Sequence, residues 1–376
     1  MKPLSQAEIR RYSRHLTLPQ VGVAGQQRLG QASILLVGAG GLGSPAATYL
    51  AAAGVGRIGI VEFDSVDESN LQRQILYDDS DVGRSKVEAA AERLSAINPH
   101  IQIETIESRF DHQNGVELVR RYDLVLDGSD NFETRYWVND ACVLANRPNV
   151  YGSIFRFEGQ VSIFCTPEGP CYRCLFPEPP PPDAVPNCAE GGVLGILPGT
   201  VGTLQATEAL KWILQIGKPA VGRLLIYDAL ELTLRELRVR RDPNCQICSA
   251  NATREQLEAP LARVTDDEEA GAKIEPAELE QLIRGSVARP RLLDVRSESE
   301  RAIASIDGAD WIPLDELAQR IDELERTAHW VIYCKSGKRA ARAVALMREN
   351  GFRSVQNLSG GIDRWAAEID PKIARY

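Results

Sequence analysis

The sequence predicts an α/β protein built from two domains of unequal size. Between residue 33 and about residue 240, short apolar runs alternate with alanine-rich stretches of helical spacing. This alternation is typical of a mostly parallel sheet with helices on both faces. A second, shorter alternation begins near residue 275, after a polar and acidic stretch. We therefore predict a first domain over residues 1–250, a linker over 251–274 and a second domain over 275–376.

The elements of the first domain follow from these patterns. In chain order we predict a strand at 33–38, a helix at 43–54, a strand at 57–64, a helix at 85–99 and strands at 101–106 and 123–130. Residues 149–165 break the rhythm with two apolar runs around a short turn, which predicts an antiparallel extension. Residues 176–199 contain four consecutive prolines and several glycines, and we predict a long irregular loop.

The second domain is about 100 residues long, which is enough for an independent core. In it we predict helices at 276–284 and 338–350 and strands at 291–296, 329–334 and 354–358.

The composition excludes several classes of protein. A net charge of −9 argues against a nucleic-acid-binding surface. The apolar run that ends at Arg57 has about a dozen residues, whereas a membrane span needs about 20. The first residues, MKPLSQAEIRR, lack the apolar core of a signal peptide. We expect a soluble cytoplasmic protein that binds neither nucleic acid nor membrane.

A glycine-rich turn follows the first strand. Gly38, Gly40 and Gly43 form G-x-G-x-x-G in VGAGGLGSP. Such a turn lets the backbone approach phosphate, and the helix behind it faces the anion with its N-terminus. An acidic residue about 20 positions further on would hold the ribose, and both Glu62 and Asp64 fit that spacing.

Charged and amide side chains then follow the strand ends, where ligands bind to parallel sheets. Asn70, Arg73 and Lys86 come after the second strand, and Asp130 and Asn131 come after a later one. Two cations, amides and an acid suit ATP with Mg²⁺ better than a nicotinamide ring. An NAD(P)-linked oxidoreductase remains an alternative, as does the view that these are solvated surface charges.

Four cysteines are arranged in two C-x-x-C pairs about 70 residues apart. This spacing predicts a zinc ion held by four thiolates. Because four thiolates leave no open position, the site would be structural. The redox alternative requires a C-x-x-C that opens a helix after a strand, and neither pair has that context. The four ligands would be Cys171, Cys174, Cys245 and Cys248.

The motifs GAGGLGSP, ESNLQRQ and SDNFETRYWVND resemble those of the MoeB/ThiF/HesA family, over about residues 1–250. The resemblance implies an enzyme that uses ATP and Mg²⁺ to adenylate the C-terminal glycine of a ubiquitin-like sulfur-carrier protein ending in Gly-Gly. This chain has Glu62 where the family usually has Asp. By position, the family pattern implies Gly41 in the phosphate loop, Glu62 on the ribose, and Ser69, Asn70 and Arg73 along the nucleotide. It implies Lys86 beside the phosphates and Asp130 near the metal, with Asn131 next to it. It also implies Arg14 on the phosphates, often from a partner subunit.

Cys188 lies in the proline-rich loop, where a lone cysteine is less easily explained as core. The resemblance places it at the thioester cysteine of ubiquitin-activating relatives. We hypothesise an acyl-accepting or disulfide-forming thiol. Cys142 and Cys165 lie in apolar patterns and are interpreted as core.

Cys334 ends a predicted strand and is followed by a short loop and a helix. Backbone N–H groups and the helix N-terminus can stabilise a thiolate there. The stretches VIYCKSGKRAARAV, LLDVR, WIPL and NLSGGIDRW resemble a rhodanese domain over about residues 275–376, although Ser305 replaces a usual histidine. A phosphatase is the alternative, but its loop commonly has five residues between Cys and Arg. Here four separate Cys334 from Arg339, which favours a persulfide.

Together the two halves predict an adenylyltransferase and sulfurtransferase. The first would make an acyl-adenylate on the carrier, and a persulfide on Cys334 would convert it to a thiocarboxylate. The fusion resembles the molybdopterin-synthase adenylyltransferase/sulfurtransferase type, and a thiamine pathway is equally compatible. We expect a cysteine desulfurase or thiosulfate as sulfur donor and, with Arg14 acting in trans, a homodimer. A binding scaffold with an inert rhodanese domain is the remaining alternative.

Overall fold

The computed structural model describes residues 3–180, 192–249, 273–285 and 289–376. The chain divides into two units, Met1–Val264 and Thr265–Tyr376, and each is described by itself. The predicted linker at 251–274 falls mostly outside the described residues, but its last two residues, Lys273 and Ile274, form a strand of the second unit's sheet. The other limits of the linker stay a prediction. Among the described residues, no helix is both long and apolar enough to cross a membrane.

An eight-stranded sheet forms the centre of the first unit. Its strand order is β3-β2-β1-β4-β5-β6-β7-β8. The first five strands in this order run parallel, and β6 to β8 are antiparallel to their neighbours. The strands are β1 Ser33–Val37, β2 Arg57–Glu62, β3 Gln102–Glu107, β4 Leu124–Asp127, β5 Asn149–Phe155, β6 Glu158–Phe164, β7 Arg223–Asp228 and β8 Thr233–Arg238.

Helices cover both faces of this sheet, as the alternation of apolar runs predicts. Leu36 of β1 packs into a core with the helices that follow β1 and β2, whereas its neighbour Leu35 packs into a second core on the other face. The helices are α1 Gln6–Arg11, α2 Ser13–Leu16, α3 Gly22–Gln31, α4 Gly43–Ala53, α5 Lys86–Ile97, α6 Gly115–Arg120, α7 Phe132–Ala145, α8 Tyr172–Leu175 and α9 Ile196–Leu214.

The order of the parallel strands positions the site. The chain moves outward from β1 to β2 and β3, and then returns to β4 on the other side of β1. Loops therefore leave the carboxyl ends of β1 and β4 in opposite directions and open a crevice between them, which is where ligands bind to such sheets. The α/β prediction and the antiparallel extension after β5 are confirmed.

Two predictions for the first unit need correction. The irregular loop at 176–199 ends earlier than predicted, because α9 begins at Ile196 and contains Pro198. Proline is tolerated in the first turn of a helix, where an N–H group has no partner within the helix. The strands β7 and β8 were also not predicted from the sequence, and the outer one is exposed along its whole length.

The second unit contains a five-stranded sheet in the order β11-β10-β12-β13-β9, with every pair parallel. Helices again pack on both faces. The strands are β9 Lys273–Ile274, β10 Arg291–Asp294, β11 Asp310–Trp311, β12 Trp330–Tyr333 and β13 Val355–Leu358; the helices are α10 Pro276–Arg284, α11 Glu298–Ile303, α12 Leu314–Arg320, α13 Lys338–Glu349 and α14 Gly361–Glu368.

Candidate functional site

The glycine turn connects β1 to α4 in a conformation that a side chain would block. Gly38 has φ +87°, and a Cβ atom there would lie 3.1 Å from the Gly128 carbonyl oxygen. A Cβ atom on Gly43 would lie 2.1 Å from the Gly38 carbonyl oxygen. These two glycines therefore allow a tight turn and close packing of the helix on the strand. No side chain caps the N-terminus of α4, which leaves it suited to an anion.

The outer side of the turn faces residues from the loop after β2. A Cβ atom on Gly41 would lie 3.8 Å from Arg73 Cδ and 3.1 Å from Pro198 Cβ. A Cβ atom on Gly40 would lie 3.6 Å from Gln74 Nε2. The structure thus brings the side chain of Arg73 beside the glycine turn, and a guanidinium group can neutralise phosphate charge.

Glu62 is the last residue of β2, and it is hydrogen-bonded to the glycine turn. Its side chain is buried, and Oε2 accepts a hydrogen bond from Ala39 N at 3.1 Å. Its other oxygen accepts from Phe63 N at 2.8 Å and Asp64 N at 3.0 Å. A carboxylate has about four acceptor positions, so these three bonds leave capacity for a ribose hydroxyl.

Asp64 and Lys86 form an ion pair beside the turn. Lys86 Nζ lies 3.4 Å from Asp64 Oδ2, and the lysine side chain is only 7% exposed while the carboxylate is 53% exposed. Lys86 begins α5, and its backbone N–H donates to the Asp64 carbonyl at 3.0 Å. The two predicted residues are therefore brought together, and the ammonium group is fixed where phosphate could join it.

Ser69, Asn70 and Arg73 form one compact turn. Asp67 caps a short 3-10 helix at Glu68–Asn70 by accepting a hydrogen bond from Ser69 N. Arg73 Nη1 donates to the Ser69 carbonyl at 2.8 Å. This turn orients Arg73 toward Gly41.

Gln74, which lies in the same turn, was not predicted from the sequence. Its side chain is 5% exposed, and within the part of the chain that the structure describes its Oε1 atom has no hydrogen-bond partner. A buried polar atom without a partner costs about 1–3 kcal/mol, so its presence beside the glycine turn favours a ligand there. No sequence signal distinguishes this glutamine from the exposed Gln72 two residues earlier.

Asp130 and Asn131 lie after β4, on the other side of the crevice. Asn131 caps α7 by accepting a hydrogen bond from Thr134 N at 2.9 Å, and its Nδ2 lies 3.4 Å from Asp130 Oδ1. Both side chains are exposed. An exposed carboxylate and an adjacent amide are oxygen ligands of the kind that Mg²⁺ prefers.

A buried carboxylate that was also not predicted from the sequence supports this loop. Asp127 is fully buried, and its Oδ1 accepts hydrogen bonds from Ser129 N at 3.0 Å and Ser129 Oγ at 2.6 Å. Burial raises the pKa of Asp127, although the Arg135 guanidinium opposes this. Arg135 lies over the Tyr151 ring at 5.3 Å and donates to the Ser129 carbonyl at 3.4 Å. These contacts fix the backbone just before Asp130.

Arg14 is not brought to the glycine turn of its own chain. It is exposed on α2, and its neighbour His15 lies 2.9 Å from Gln26 Oε1. Gln26 in turn donates to the Ala53 carbonyl at 2.9 Å, at the C-terminal end of α4. The glycine turn lies at the other end of this helix, about 16 Å away.

The two C-x-x-C pairs converge. The four sulfur atoms all lie within 4.8 Å of one another. The sulfur of Cys171 lies 3.8 Å from that of Cys174 and 3.6 Å from that of Cys245, and Cys174 and Cys248 are 3.4 Å apart. A tetrahedral zinc site with Zn–S bonds of about 2.3 Å requires sulfur atoms about 3.8 Å apart. The donor set and its spacing therefore fit zinc.

The zinc segment is attached to α7. Arg173, which lies between two of the cysteines, forms two hydrogen bonds of 2.8 Å with Asp140. Tyr172 N donates to Asn139 Oδ1 at 2.7 Å. These contacts link the metal centre to the helix that begins beside Asp130. Cys188 lies outside the described residues.

In the second unit, Cys334 lies between β12 and α13. Its sulfur accepts a hydrogen bond from Gly337 N at 3.1 Å, and the residue is only 1% exposed. Gly337 has φ +97°, which turns the loop back under the sulfur. The next helix starts at Lys338. An N–H donor and a helix N-terminus are the features that stabilise a thiolate.

The Arg339 guanidinium makes a two-point ion pair with Glu300, with distances of 2.7 and 2.6 Å. Burial alone would raise the pKa of Glu300, but the paired guanidinium lowers it to about 2. Both terminal nitrogens of Arg339 are thus directed at a carboxylate. This geometry counts against the phosphatase alternative, which needs them over the cysteine loop.

Comparisons with known proteins agree with both geometries. Residues 12–247 match the model of the ThiF family, and residues 275–368 match the rhodanese-like domain. The probable adenylyltransferase/sulfurtransferase MoeZ of Mycobacterium tuberculosis is 48% identical over 99% of this chain and 96% of its own length. The sulfur carrier protein adenylyltransferase of Thermus thermophilus is 55% identical over 67% of this chain and 95% of its own.

Among solved structures, Escherichia coli MccB crystallised with ATP has a TM-score of 0.56 over 65% of this chain and 75% of its own. At 23% identity this likeness shows the fold. Both resemblances drawn from the sequence are confirmed, and the chain belongs to the ThiF family and carries a rhodanese-like domain.

Proposed function

We propose that this chain uses ATP to adenylate the C-terminal glycine of a ubiquitin-like sulfur-carrier protein, and then transfers sulfur from a Cys334 persulfide to form a thiocarboxylate. The observation that carries the proposal is that one chain holds both a glycine turn flanked by Arg73 and a buried Cys334 facing a backbone N–H. Relatives that match along the whole chain are named adenylyltransferase/sulfurtransferase. The enzyme class follows from both features.

In the first step, a carboxylate oxygen of the carrier attacks the α-phosphorus of ATP. The bond to the bridging oxygen breaks, pyrophosphate leaves, and an acyl-adenylate forms. The chain would contribute orientation and charge neutralisation. We assign three groups to the phosphates: the glycine turn, which includes Gly41, and the side chains of Lys86 and Arg73. We assign Glu62 to the ribose. Ser69 and Asn70 would lie along the nucleotide.

A Mg²⁺ ion would neutralise phosphate charge when bound. We assign Asp130 as its protein ligand, with Asn131 beside it, because this carboxylate is exposed after β4. The carboxylate would orient the metal from the side of the crevice opposite Arg73. Zinc, in contrast, would remain structural on its four cysteines.

In the second step, the terminal sulfur of the Cys334 persulfide attacks the acyl carbon. AMP leaves with the electron pair of the C–O bond, and an acyl disulfide remains. A thiolate, for which Cys188 is our candidate, then attacks the Cys334 sulfur and releases the thiocarboxylate. The resulting disulfide between Cys188 and Cys334 is reduced by an external dithiol. The predicted linker at 251–274 would raise the effective concentration of Cys334 at the adenylate.

We also propose a homodimer in which Arg14 reaches the partner's nucleotide. Arg14 is exposed and lies at the end of α4 opposite the glycine turn of its own chain. A role on the phosphates therefore requires a second subunit. The sulfur-carrier partner would belong to molybdopterin or thiamine synthesis, and the sulfur donor would be a cysteine desulfurase or thiosulfate.

The direct test is to incubate the chain with ATP, Mg²⁺ and candidate carrier proteins and to measure the intact mass of each carrier by mass spectrometry. We expect the carrier to gain AMP and, once a sulfur donor is added, to exchange one carboxyl oxygen for sulfur. Arg73→Ala should abolish both changes. The matched control is Arg84→Ala, because Arg84 pairs with Asp81 and Glu92 at the surface. Equal adenylation by wild type and Arg73→Ala would contradict the site.

A further inference from the structure

Tyr376 follows the last helix, and its side chain contacts Lys335, the residue that directly follows Cys334. Its hydroxyl oxygen accepts a hydrogen bond from Arg296 Nη1 at 2.7 Å and donates to Glu300 Oε1 at 3.3 Å. Glu300 is the carboxylate that holds Arg339. One hydroxyl group therefore joins a buried arginine to the ion pair at the start of α13.

The ring of Tyr376 also contacts the charged side chain of the residue that follows the cysteine in the chain. Lys335, which directly follows Cys334, places its Nζ atom 4.7 Å from the centroid of this ring. That separation is within the range of a cation–π interaction. The backbone of Lys335 is fixed as well, because its carbonyl accepts a hydrogen bond from Asp363 N at 3.1 Å.

The segment that carries Tyr376 is itself anchored on α14. Arg375 pairs with the Asp363 carboxylate at 3.0 and 3.2 Å. Ile373 packs against the apolar core on that face of the sheet. The ring position is thus set by the fold and does not depend on Lys335 alone.

We propose that Tyr376 is a positioning residue that holds the Lys335 ammonium group beside Cys334 for recognition of an anionic sulfur donor. The inference rests on the proposed sulfur transfer for its biological meaning. Lysine has a long flexible side chain, and in solvent its charge would be spread over many rotamers. The aromatic face confines it on one side, while the hydroxyl bonds to Arg296 and Glu300 stop the ring from turning away.

The test measures the charge at Cys334 directly. Alkylation by iodoacetate and by iodoacetamide requires the same thiolate, so the ratio of the two rate constants reports the local charge and not the thiol pKa. Mass spectrometry of the Cys334 peptide gives both rates in the full-length chain. We expect Tyr376→Ala and Lys335→Ala each to lower the ratio about fivefold, and the double variant to lower it no further. Tyr376→Phe, which keeps the ring, should lower it less than Tyr376→Ala.

Lys372→Ala is the matched control, because it removes an exposed lysine from the same segment and leaves Tyr376 in place. The inference is overturned if Tyr376→Ala gives the same ratio as Lys372→Ala, or if the two losses multiply in the double variant. Thiosulfate treatment then tests the proposed function separately. If wild-type Cys334 never gains the mass of one sulfur atom from thiosulfate or a desulfurase, sulfur transfer fails while the alkylation result stands.

Discussion

At the scale of single residues, we assign two contacts to the one carboxylate of Glu62. It accepts a hydrogen bond from Ala39 N in the glycine turn, and our assignment adds a ribose hydroxyl. Glu62→Gln keeps the shape but removes the charge and replaces one acceptor by a donor. We expect adenylation to lose at least about tenfold in kcat/KM for ATP, measured by carrier-dependent pyrophosphate exchange.

The control for this variant is Glu68→Gln, which changes an exposed acid six residues further on. It should leave pyrophosphate exchange within about twofold of wild type, since a surface charge is screened. If Glu62→Gln exchanged pyrophosphate at the wild-type rate, the carboxylate would not contact the nucleotide.

The residue scale is also where sequence reasoning reaches its limit. Glu62 and Arg73 could be predicted because their spacing from the glycine motif is fixed by the strand and turn between them. Gln74 and Asp127 could not, because burial depends on chain segments that are distant in sequence. Gln74 lies against the glycine turn, which comes 34 residues earlier, and Asp127 is buried where the charge of Arg135 in the following helix acts on it.

Glu300 gives a prediction about pH. Its pKa falls from 4.5 to about 2 on folding, because the pairing with Arg339 outweighs burial. A carboxylate with a lowered folded pKa stabilises the fold above the unfolded pKa and loses that contribution as pH falls through the folded value. Glu300→Gln should therefore destabilise the second unit at pH 7, by up to about 3 kcal/mol. Denaturant unfolding of both proteins should show the difference shrinking between pH 4.5 and about 2. A difference independent of pH would contradict the pair.

At the scale of elements, α7 links the four-cysteine cluster, our proposed zinc site, to the crevice where we propose that the nucleotide binds. Arg173 and Asp140 join the cysteine cluster to this helix, and Asn131 caps its other end. Loss of zinc should thus loosen the loop of Asp130 as well as the cluster itself. We expect Cys245→Ser to lose its zinc and more than about tenfold in adenylation, measured by metal analysis and pyrophosphate exchange.

The matched variant is Cys142→Ser, which changes a buried thiol on α7 outside the cluster. It should retain one zinc per chain, whatever its effect on stability. Alkylation of Cys334 should be unchanged in Cys245→Ser, since that loop belongs to the other unit. A zinc-free protein with full adenylation would disprove the link through α7.

Strands and helices could be predicted from the sequence where the local pattern of apolar residues matches their burial in the fold. The inner parallel strands β1, β2 and β4 could be predicted because nearly all of their residues are buried and each reads as a mostly apolar run. β8 could not, because all six of its residues are exposed and it has no apolar alternation to detect. The beginning of α9 was missed because Pro198 reads as a helix breaker unless its place in the first turn is known.

At the scale of the whole molecule, the sequence could predict two domains and the chemistry of each, and the family resemblance implied that Arg14 acts in trans, but no local pattern shows whether Arg14 can reach the glycine turn of its own chain. That depends on where Arg14 lies, and its position follows from contacts of His15 and Gln26 with α4. No periodicity encodes such contacts. These contacts hold α2 near the end of α4 that lies opposite the glycine turn. The proposed role of Arg14 on the phosphates therefore depends on how two subunits assemble.

Complementation between two inactive variants tests this assembly. If Arg14 acts in trans, a dimer of one Arg14→Ala subunit and one Asp130→Ala subunit contains one site with both residues intact and one site that lacks both. Random mixing makes half of the dimers mixed, and each has one of two sites restored, so about a quarter of wild-type pyrophosphate exchange should return. Each variant alone should remain inactive, because every site in its homodimer lacks one residue.

Recovery of activity should grow with the rate of subunit exchange, and crosslinking the dimers before mixing should prevent it. If mixing restores nothing although mass spectrometry shows mixed dimers, Arg14 does not act on the partner's nucleotide.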